Sequence, residues 1–315
     1  MTTEEIKSEL IHAVRPAPSS SEDCCARAEI CAAVLLSGGL SFRGFGRYAL
    51  TVSVTHAAVS RYYFSLIKRF LGVTTEIRTA KTSKLGEITK YELVFPDNEV
   101  DKCLDLLKLR DDEALFGLSS VPAPEVVAAP CCRSAFLKSA FLTTGSMTNP
   151  EKAYELTLSC ASEEMALALR ELLASRSVKA GVSARRSQFI TYIKEAESVR
   201  TFLALTGAHS AVLKLDDLRI VKQCKVEAQR LSNCDDANIN RTVKSAKAQM
   251  EDISLLLAHE PLETLPVWAR ELASLRFDEP NASYTELGAL CDPPLTKSSV
   301  SKRLKRLSEM AEKYK

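Results

Sequence analysis

The ten cysteines are the side chains of this sequence best suited to bind a metal ion or to undergo redox chemistry. They comprise two adjacent pairs, Cys24-Cys25 and Cys131-Cys132, and six single residues, Cys31, Cys103, Cys160, Cys224, Cys234 and Cys291. The sequence has no CxxC motif and no Cys/His group with the spacing of zinc ligands. We therefore predict reduced cysteines that pack in the core of a cytosolic protein, with no metal and no cofactor. A redox switch at the two pairs is the alternative.

A basic segment at the C-terminal end is the second candidate for chemistry. Residues 297–315 hold seven Lys or Arg and two Glu, a net charge of +5. In a helix, Val300, Leu304 and Leu307 share one face, and hydroxyl and basic side chains occupy the other. Such a face suits phosphates and the major groove of DNA. The predicted DNA contacts are Thr296, Lys297, Ser298, Ser299, Ser301, Lys302, Lys305 and Arg306. The alternative is a solvated basic helix that packs on its domain and contacts nothing.

The residues before this segment predict the elements that position it. Residues 266–277 have the pattern of a helix, and Ser283 to Glu286 form a capping box that starts a short helix. A Pro-rich turn at 291–295 follows, and Thr296 can cap the last helix. Three short helices with such a turn predict an all-α helix-turn-helix domain at 259–315.

The rest of the sequence contains a duplication. Cys24-Cys25 and Gly38 recur with the same separation as Cys131-Cys132 and Gly145, each pair followed by an apolar run that ends at the glycine. Strand, helix, hairpin and helix patterns follow in both halves, so we predict an α-β-α-β-β-α unit written twice. The predicted fold class is α+β with mixed sheets. The boundaries are a first domain at 1–220, with repeats at about 22–118 and 131–218, and a connector helix at 221–258.

The two predicted hairpins carry basic residues of their own. Residues 176–194 contain five Lys or Arg and no acid, and the weaker candidates for phosphate contact are Lys81, Lys84, Arg185 and Arg186. A solvated sheet face, or a surface for protein contacts, is the alternative.

Bulk composition excludes some classes of protein. The 315 residues are 46% hydrophobic and 26% charged, which is typical of a globular chain. The net charge of +2 predicts no partner by itself. The segment from Met1 to Val14 lacks the apolar core of a signal peptide, and no run is long enough for a membrane helix. We expect a cytoplasmic, nucleoid-associated protein with no membrane partner and no small-molecule substrate.

Four segments carry a resemblance to a known family. They are SAFLKSAFLTTGS at 134–146, FLALTGAH at 202–209, RLSNCDDANIN at 230–240 and LGALCDPPLTKS at 287–298. With them, the chain resembles the WhiA family, DNA-binding regulators of sporulation and cell division in Gram-positive bacteria. The resemblance implies a first domain similar to LAGLIDADG homing endonucleases and a helix-turn-helix similar to the part of sigma factors that binds the −35 element.

The same resemblance provides a test for nuclease activity. LAGLIDADG enzymes bind divalent metal through one carboxylate placed just before the last glycine of each motif helix. Aligning those glycines with Gly38 and Gly145 puts Ser37 and Thr144 at the acid positions, and a neutral hydroxyl supplies no charge to hold Mg²⁺. The nearest acids, Glu29 and Glu151, are displaced from the motif ends. We predict no catalytic residue and no enzyme activity.

The resulting functional hypothesis is a sequence-specific regulator of transcription in sporulation or cell division, with double-stranded promoter DNA as its partner. The alternative is an interaction scaffold that recruits a regulatory protein in cell division and binds DNA secondarily. An active homing-type endonuclease is a third possibility, and it requires carboxylates that the motif ends lack.

Overall fold

The computed structural model of the chain describes residues 1–13, 23–42, 48–82, 88–111, 118–185 and 188–315. They form two compact units, Met1–Ile220 and Val221–Lys315. Within these ranges, no helix combines the length and the apolar character needed to cross a bilayer.

The first unit contains two repeats of seven elements each. The first repeat comprises α2 (Cys24–Ser37), β1 (Gly38–Phe42), β2 (Tyr48–Val54), α3 (Ala57–Leu71), β3 (Glu76–Thr82), β4 (Ile88–Val94) and α4 (Val100–Leu106). The second comprises α5 (Pro130–Thr144), β5 (Gly145–Met147), β6 (Leu156–Cys160), α6 (Glu163–Ala174), β7 (Gly181–Arg185), β8 (Gln188–Ile193) and α7 (Ala196–Thr206).

Each repeat therefore has one strand more than the predicted α-β-α-β-β-α unit. The additional strands β1 and β5 start directly at the end of the preceding helix, without a turn, and both start at a glycine. Glycine weakens a strand pattern, so no strand signal was visible at these positions. A Cβ on Gly38 would collide with the Val34 carbonyl, and one on Gly145 with Phe141. These glycines are required where the chain leaves a helix and enters a strand at once.

Each repeat contains one four-stranded sheet, in the order β1-β2-β4-β3 and β5-β6-β8-β7. All six strand pairings among the described residues are antiparallel, so the prediction of mixed sheets is wrong, while the α+β class is confirmed. After β2 the chain passes through α3 into β3, which runs parallel to β2. It then reverses direction into β4, so β4 is antiparallel to both β3 and β2. Burial alternates along β6, where Leu156, Leu158 and Cys160 face the core.

The helices α2 and α5 pack against each other at the centre of the first unit. They are buried on nearly every side, with Ala28, Ala32 and Ala140 completely inaccessible. Small residues let the two backbones approach closely, and Phe136 and Phe141 fill the space beside them. This pair is the axis of the duplication, and we refer to α2 and α5 as the axis helices.

A helix before the first repeat was not predicted. α1 (Thr3–His12) is capped by the Thr2 side chain, which accepts a hydrogen bond from Glu5 N. It buries Ile6 and Leu10, and the Thr3 hydroxyl accepts a hydrogen bond from Met147 N at 2.9 Å. Its few apolar residues among acidic ones formed too weak a pattern to identify it.

The helix α8 (His209–His259) is 51 residues long and begins before the connector helix predicted at 221–258. In the second unit it is followed by α9 (Val267–Asp278), α10 (Tyr284–Leu290) and α11 (Lys297–Ala311). Their common core contains Leu272, Leu287, Val300, Leu304 and Leu307. These are the three short helices expected from the sequence.

Candidate nucleic-acid interface

The helix α11 has one buried face and one exposed basic face. Val300, Leu304, Leu307 and Ala311 are at most 1% exposed and fix the helix on the core of the second unit. The face opposite carries the predicted DNA contacts. Thr296, Lys297, Ser298, Ser301, Lys302, Lys305 and Arg306 are exposed, and Ser299 is half-buried. We call these eight residues the α11 face.

The first turn of α11 presents a cluster of hydroxyl groups. The Thr296 side chain accepts a hydrogen bond from Ser299 N and so caps the helix. Its Oγ1 also lies 3.1 Å from Ser298 Oγ and 2.9 Å from Ser299 Oγ. The cluster coincides with the positive end of the helix dipole, which favours an anionic group such as a phosphate.

The basic part of the α11 face follows one turn later. The Arg306 guanidinium lies 5.6 Å from the centre of the Trp268 ring, a cation–π contact that holds it against α9. Lys305 is 3.8 Å from Glu309, but both side chains are more than half exposed, so solvent weakens this ion pair. A phosphate can therefore compete for Lys305, while Arg306 is preorganised.

The helix α10 and the turn after it set the position of α11. Ser283 and Glu286 form the predicted capping box, and hydrogen bonds from Ser283 lower the pKa of the Glu286 carboxyl. Leu295 N donates to the Gly288 carbonyl at 2.8 Å, and a Cβ on Gly288 would collide with the Leu295 carbonyl oxygen. The buried Arg276 donates to the Ala282 carbonyl at 2.8 Å and ties α9 to the start of α10.

The weaker candidates are in the sheets of the first unit. Lys81 lies on β3 opposite Thr89, and Arg185 ends β7 opposite Gln188; both are exposed. Lys84 and Arg186 lie outside the described residues. The structure therefore places one basic candidate in each repeat on the hairpin of its sheet.

The motif ends of the axis helices carry hydroxyls that bond to their own helices. Ser37 Oγ donates to the Ala33 carbonyl at 2.9 Å, and Thr144 Oγ1 donates to the Ala140 carbonyl at 3.3 Å. These side chains reinforce the last helical turn and offer no negative charge to a divalent cation.

Glu29 and Glu151, the acids nearest the motif ends, interact with other residues. Glu29 is 1% exposed, accepts a hydrogen bond from the Tyr62 hydroxyl, and lies 3.7 Å from Lys138 Nζ. Glu151 is exposed, and its backbone N–H donates to the Asn149 side chain. Glu29 is thus engaged in a buried ion pair, far from the environment of a solvent-facing metal ligand.

The two cysteine pairs come together in a way that their local spacing did not indicate. The Sγ atoms of Cys24, Cys25, Cys131 and Cys132 all lie within 4.8 Å of one another and form a group that could hold a metal ion. Ligand-spacing rules missed this group because they look for local motifs, whereas the two pairs are far apart in sequence and meet through the duplication. The recurrence of an adjacent cysteine pair at the start of both axis helices was the available signal.

Two cysteines do not pack in the core, so the prediction is wrong for them. Cys224 and Cys234 are exposed on α8, whereas the other eight cysteines are buried or half-buried. Residues 223–236 of this helix are all exposed, and even the apolar Val226 and Leu231 are more than half exposed.

Three family models cover most of the chain. Residues 23–110 match the WhiA N-terminal LAGLIDADG-like domain, 133–225 the WhiA LAGLIDADG-like domain and 228–311 the WhiA C-terminal HTH domain.

Similar proteins match over nearly their full length. A "Probable cell division protein WhiA" of Brevibacillus brevis is 37% identical and covers 93% of this chain and 92% of its own length. One of the same name from Heliobacterium modesticaldum is 37% identical over 92% of this chain and 91% of its own. The crystal structure of full-length DUF199/WhiA from Thermatoga maritima superposes with a TM-score of 0.58 at 27% identity, covering 99% of this chain and 98% of that one.

Proposed function

Because this chain belongs to the WhiA family, we propose that it is a sequence-specific, non-catalytic DNA-binding regulator of transcription. The observation that carries the proposal is the α11 face. An exposed face of hydroxyl and basic side chains stands opposite four buried apolar residues on one helix of a helix-turn-helix domain.

The chemistry of the α11 face divides into two roles. Ser298, Ser299 and Ser301 have small side chains, so the N-terminal turn can enter the major groove closely enough for their hydroxyls to contact base edges. Lys302, Lys305 and Arg306 follow on the next turns and suit the phosphates that flank the groove. The hydroxyls would therefore select the sequence, and the cations would supply most of the affinity.

We propose that the first unit supports binding without performing chemistry. Lys81 and Arg185 on the two hairpins suit phosphate contacts in addition to those of the α11 face. Hydroxyls at Ser37 and Thr144 and the buried Glu29–Lys138 pair leave the motif ends without a carboxylate suited to Mg²⁺. Incubation of plasmid DNA with the protein and Mg²⁺ or Mn²⁺ should give no cleavage. Cleavage that disappears when one specific acid is substituted would overturn this part.

The names of the relatives support a proposal for the biological process. Similar proteins are named as cell division proteins, and we propose that the genes regulated by this chain act in cell division or sporulation. A map of chromatin binding followed by a motif search tests this step. Binding sites scattered without a common sequence motif would contradict it.

Binding in solution provides the direct test of the α11 face. Sites selected by the full chain from a random DNA pool are compared with scrambled duplexes by fluorescence anisotropy at several salt concentrations. The double substitution Lys302→Ala/Arg306→Ala should weaken binding to all duplexes and reduce the salt slope by about two, because each phosphate contact contributes about one.

A charge-matched variant provides the control for this experiment. Lys102→Ala/Lys152→Ala removes two exposed cations of the first unit that lie outside the two hairpins. It should leave affinity and salt slope close to those of the unmodified chain. Equal effects of the two double variants would sink the assignment to the α11 face.

A further inference from the structure

The N-terminal turns of the two axis helices bring four thiols together. Cys24 and Cys25 begin α2, and Cys131 and Cys132 follow Pro130 at the beginning of α5. The Sγ–Sγ distances are 3.8 Å for Cys24–Cys25, 3.8 Å for Cys24–Cys131 and 3.9 Å for Cys131–Cys132. No two of the four sulfurs are more than 4.8 Å apart. We call these residues the four-cysteine cluster.

These distances are those of ligands around a single ion. Zinc binds thiolates at about 2.3 Å in a tetrahedron, which places neighbouring sulfurs about 3.8 Å apart. We propose that the four-cysteine cluster binds one zinc ion as a tetrathiolate site. The site goes beyond the DNA-binding function and does not depend on it.

Other chemistries fit these distances less well. A disulfide requires about 2.05 Å between the two sulfurs, so the sulfurs of any pair in the cluster would have to approach each other by more than about 1 Å to form one. A polynuclear iron–sulfur cluster distributes its thiolates over two or more irons, so the thiolates on different irons lie farther apart than the ligands of one ion. A tetrahedral set of four sulfurs is the geometry that zinc prefers in structural sites.

Zinc binding also changes the charge of the cluster. Four thiols release four protons and donate four thiolates to Zn²⁺, which leaves a net charge of −2 on the site. The zinc ion supplies the charge that stabilises four thiolates in a largely buried site.

The surroundings also favour an anionic centre. The cluster lies in the first turn of both axis helices, where the helix dipole is positive. Arg27 follows Cys24 by three residues on the same helix face, and its buried Nε has no hydrogen-bond partner among the described residues. A permanent cation one turn away and two helix N-termini together compensate for the excess negative charge of a tetrathiolate.

Burial indicates a structural role for the zinc ion. Cys25, Cys131 and Cys132 are buried, while Cys24 is half-buried and provides the route of entry. All four coordination positions are filled by protein, so no position is open for substrate. The ion would pin the starts of α2 and α5 together and thereby join the two repeats at their common axis.

Metal analysis of the full-length protein tests the proposal. The chain is expressed with zinc in the medium, purified under reducing, anaerobic conditions and analysed by inductively coupled plasma mass spectrometry. We expect one zinc ion per chain, falling to near zero in Cys24→Ser/Cys131→Ser, which removes one ligand from each helix. The matched control Cys224→Ser/Cys234→Ser removes two exposed cysteines of α8 and should keep the full complement.

A second measurement does not depend on how the variants fold. Replacing zinc by Co²⁺ in the unmodified chain should produce the intense thiolate-to-cobalt charge-transfer absorption and the visible bands of a tetrahedral site. Removal of the metal with a chelator should also lower the melting temperature of the unmodified chain. Circular dichroism verifies that the variants are folded.

Three outcomes would overturn the proposal. They are an unmodified chain that contains no zinc and takes up neither Zn²⁺ nor Co²⁺, a Cys24→Ser/Cys131→Ser variant that retains full zinc, and purified protein with iron and iron–sulfur absorption. The first outcome would mean that the four thiols only pack in the core.

Discussion

Lys138 Nζ lies 3.7 Å from the Glu29 carboxylate between the two axis helices, and the two side chains are 7% and 1% exposed. The Tyr62 hydroxyl completes the arrangement, since it accepts a hydrogen bond from Lys138 at 3.1 Å and donates to Glu29. The next residue of α5, Ser139, donates from its Oγ to the Glu29 backbone carbonyl at 2.5 Å. One repeat therefore supplies the anion and the other the cation of a buried pair that sets the register of the axis helices.

Replacing Lys138 by Met should destabilise the first unit by about 3–5 kcal/mol, because it leaves a buried carboxylate without its counter-charge. Hydrogen exchange of the amides of α2 and α5, followed by mass spectrometry, measures the loss. The control Lys102→Met breaks an exposed pair with Glu99 and should change stability by less than about 0.5 kcal/mol. Equal losses in the two variants would show that the buried pair has no special role.

Adding a methyl group at Gly288 should displace α10 from the turn before α11. The new Cβ would collide with the Leu295 carbonyl oxygen, and relief of the clash should cost about 1–3 kcal/mol. Trp268 is the single tryptophan of the chain and lies in α9, so its fluorescence follows unfolding of the second unit. Gly288→Ala should lower the midpoint of urea unfolding and weaken DNA binding, although Gly288 is outside the α11 face.

The control for this prediction is Leu290→Ala. Leu290 is on the same short helix but 53% exposed, so its truncation should leave the midpoint nearly unchanged. A midpoint for Gly288→Ala equal to that of the unmodified chain would show that the turn adapts without cost.

Elements with a strong local pattern were predictable from the sequence. The strand and helix patterns predicted for the first repeat correspond to β2 (Tyr48–Val54) and α3 (Ala57–Leu71), and each has a clear apolar period. The buried face of α11 and its Thr296 cap were likewise predicted, because capping chemistry is local.

Features created by tertiary contact were not predictable in the same way. The four-cysteine cluster joins residues from two repeats, and no local spacing reports it. The Glu29–Lys138 pair also joins the repeats, and it breaks their symmetry, because Phe136 and Cys31 occupy the equivalent positions of the other repeat. Strands β1 and β5 depend on pairing with β2 and β6 rather than on their own propensity.

Two substitutions at Thr296 separate its capping role from a role in DNA binding. Thr296→Ala removes the acceptor for Ser299 N and should destabilise the second unit by about 1 kcal/mol. Thr296→Asp keeps a capping oxygen and should preserve stability, but its negative charge should repel the phosphate backbone and lower DNA affinity. Trp268 fluorescence measures the first effect and anisotropy the second. Unchanged DNA affinity in Thr296→Asp would place Thr296 outside the interface.

The stability of the first unit should depend on pH through Lys7. This lysine of α1 is 4% exposed, and its ammonium lies 5.9 Å from the centre of the Phe141 ring. Burial lowers its pKa from 10.5 to about 8, against a smaller opposing effect of Glu4. Below pH 8 the folded and unfolded chains both carry the proton, so the cost of burying the charge is fully present. Between pH 8 and 10.5 only the folded chain releases the proton, so the free energy of unfolding rises with pH.

The substitution Lys7→Met isolates this effect. At pH 7 the variant should be more stable than the unmodified chain, by at most about 3 kcal/mol, because methionine carries no charge to bury. Loss of the cation–π contact with Phe141 reduces the gain. Its advantage should shrink when both proteins are measured at pH 9.5, since other titrating groups are common to the two chains. The control Lys214→Met, at an exposed lysine paired with Glu5, should show no such trend. A stability difference for Lys7→Met that stays constant from pH 7 to 9.5 would mean that Lys7 keeps its ordinary pKa in the folded protein.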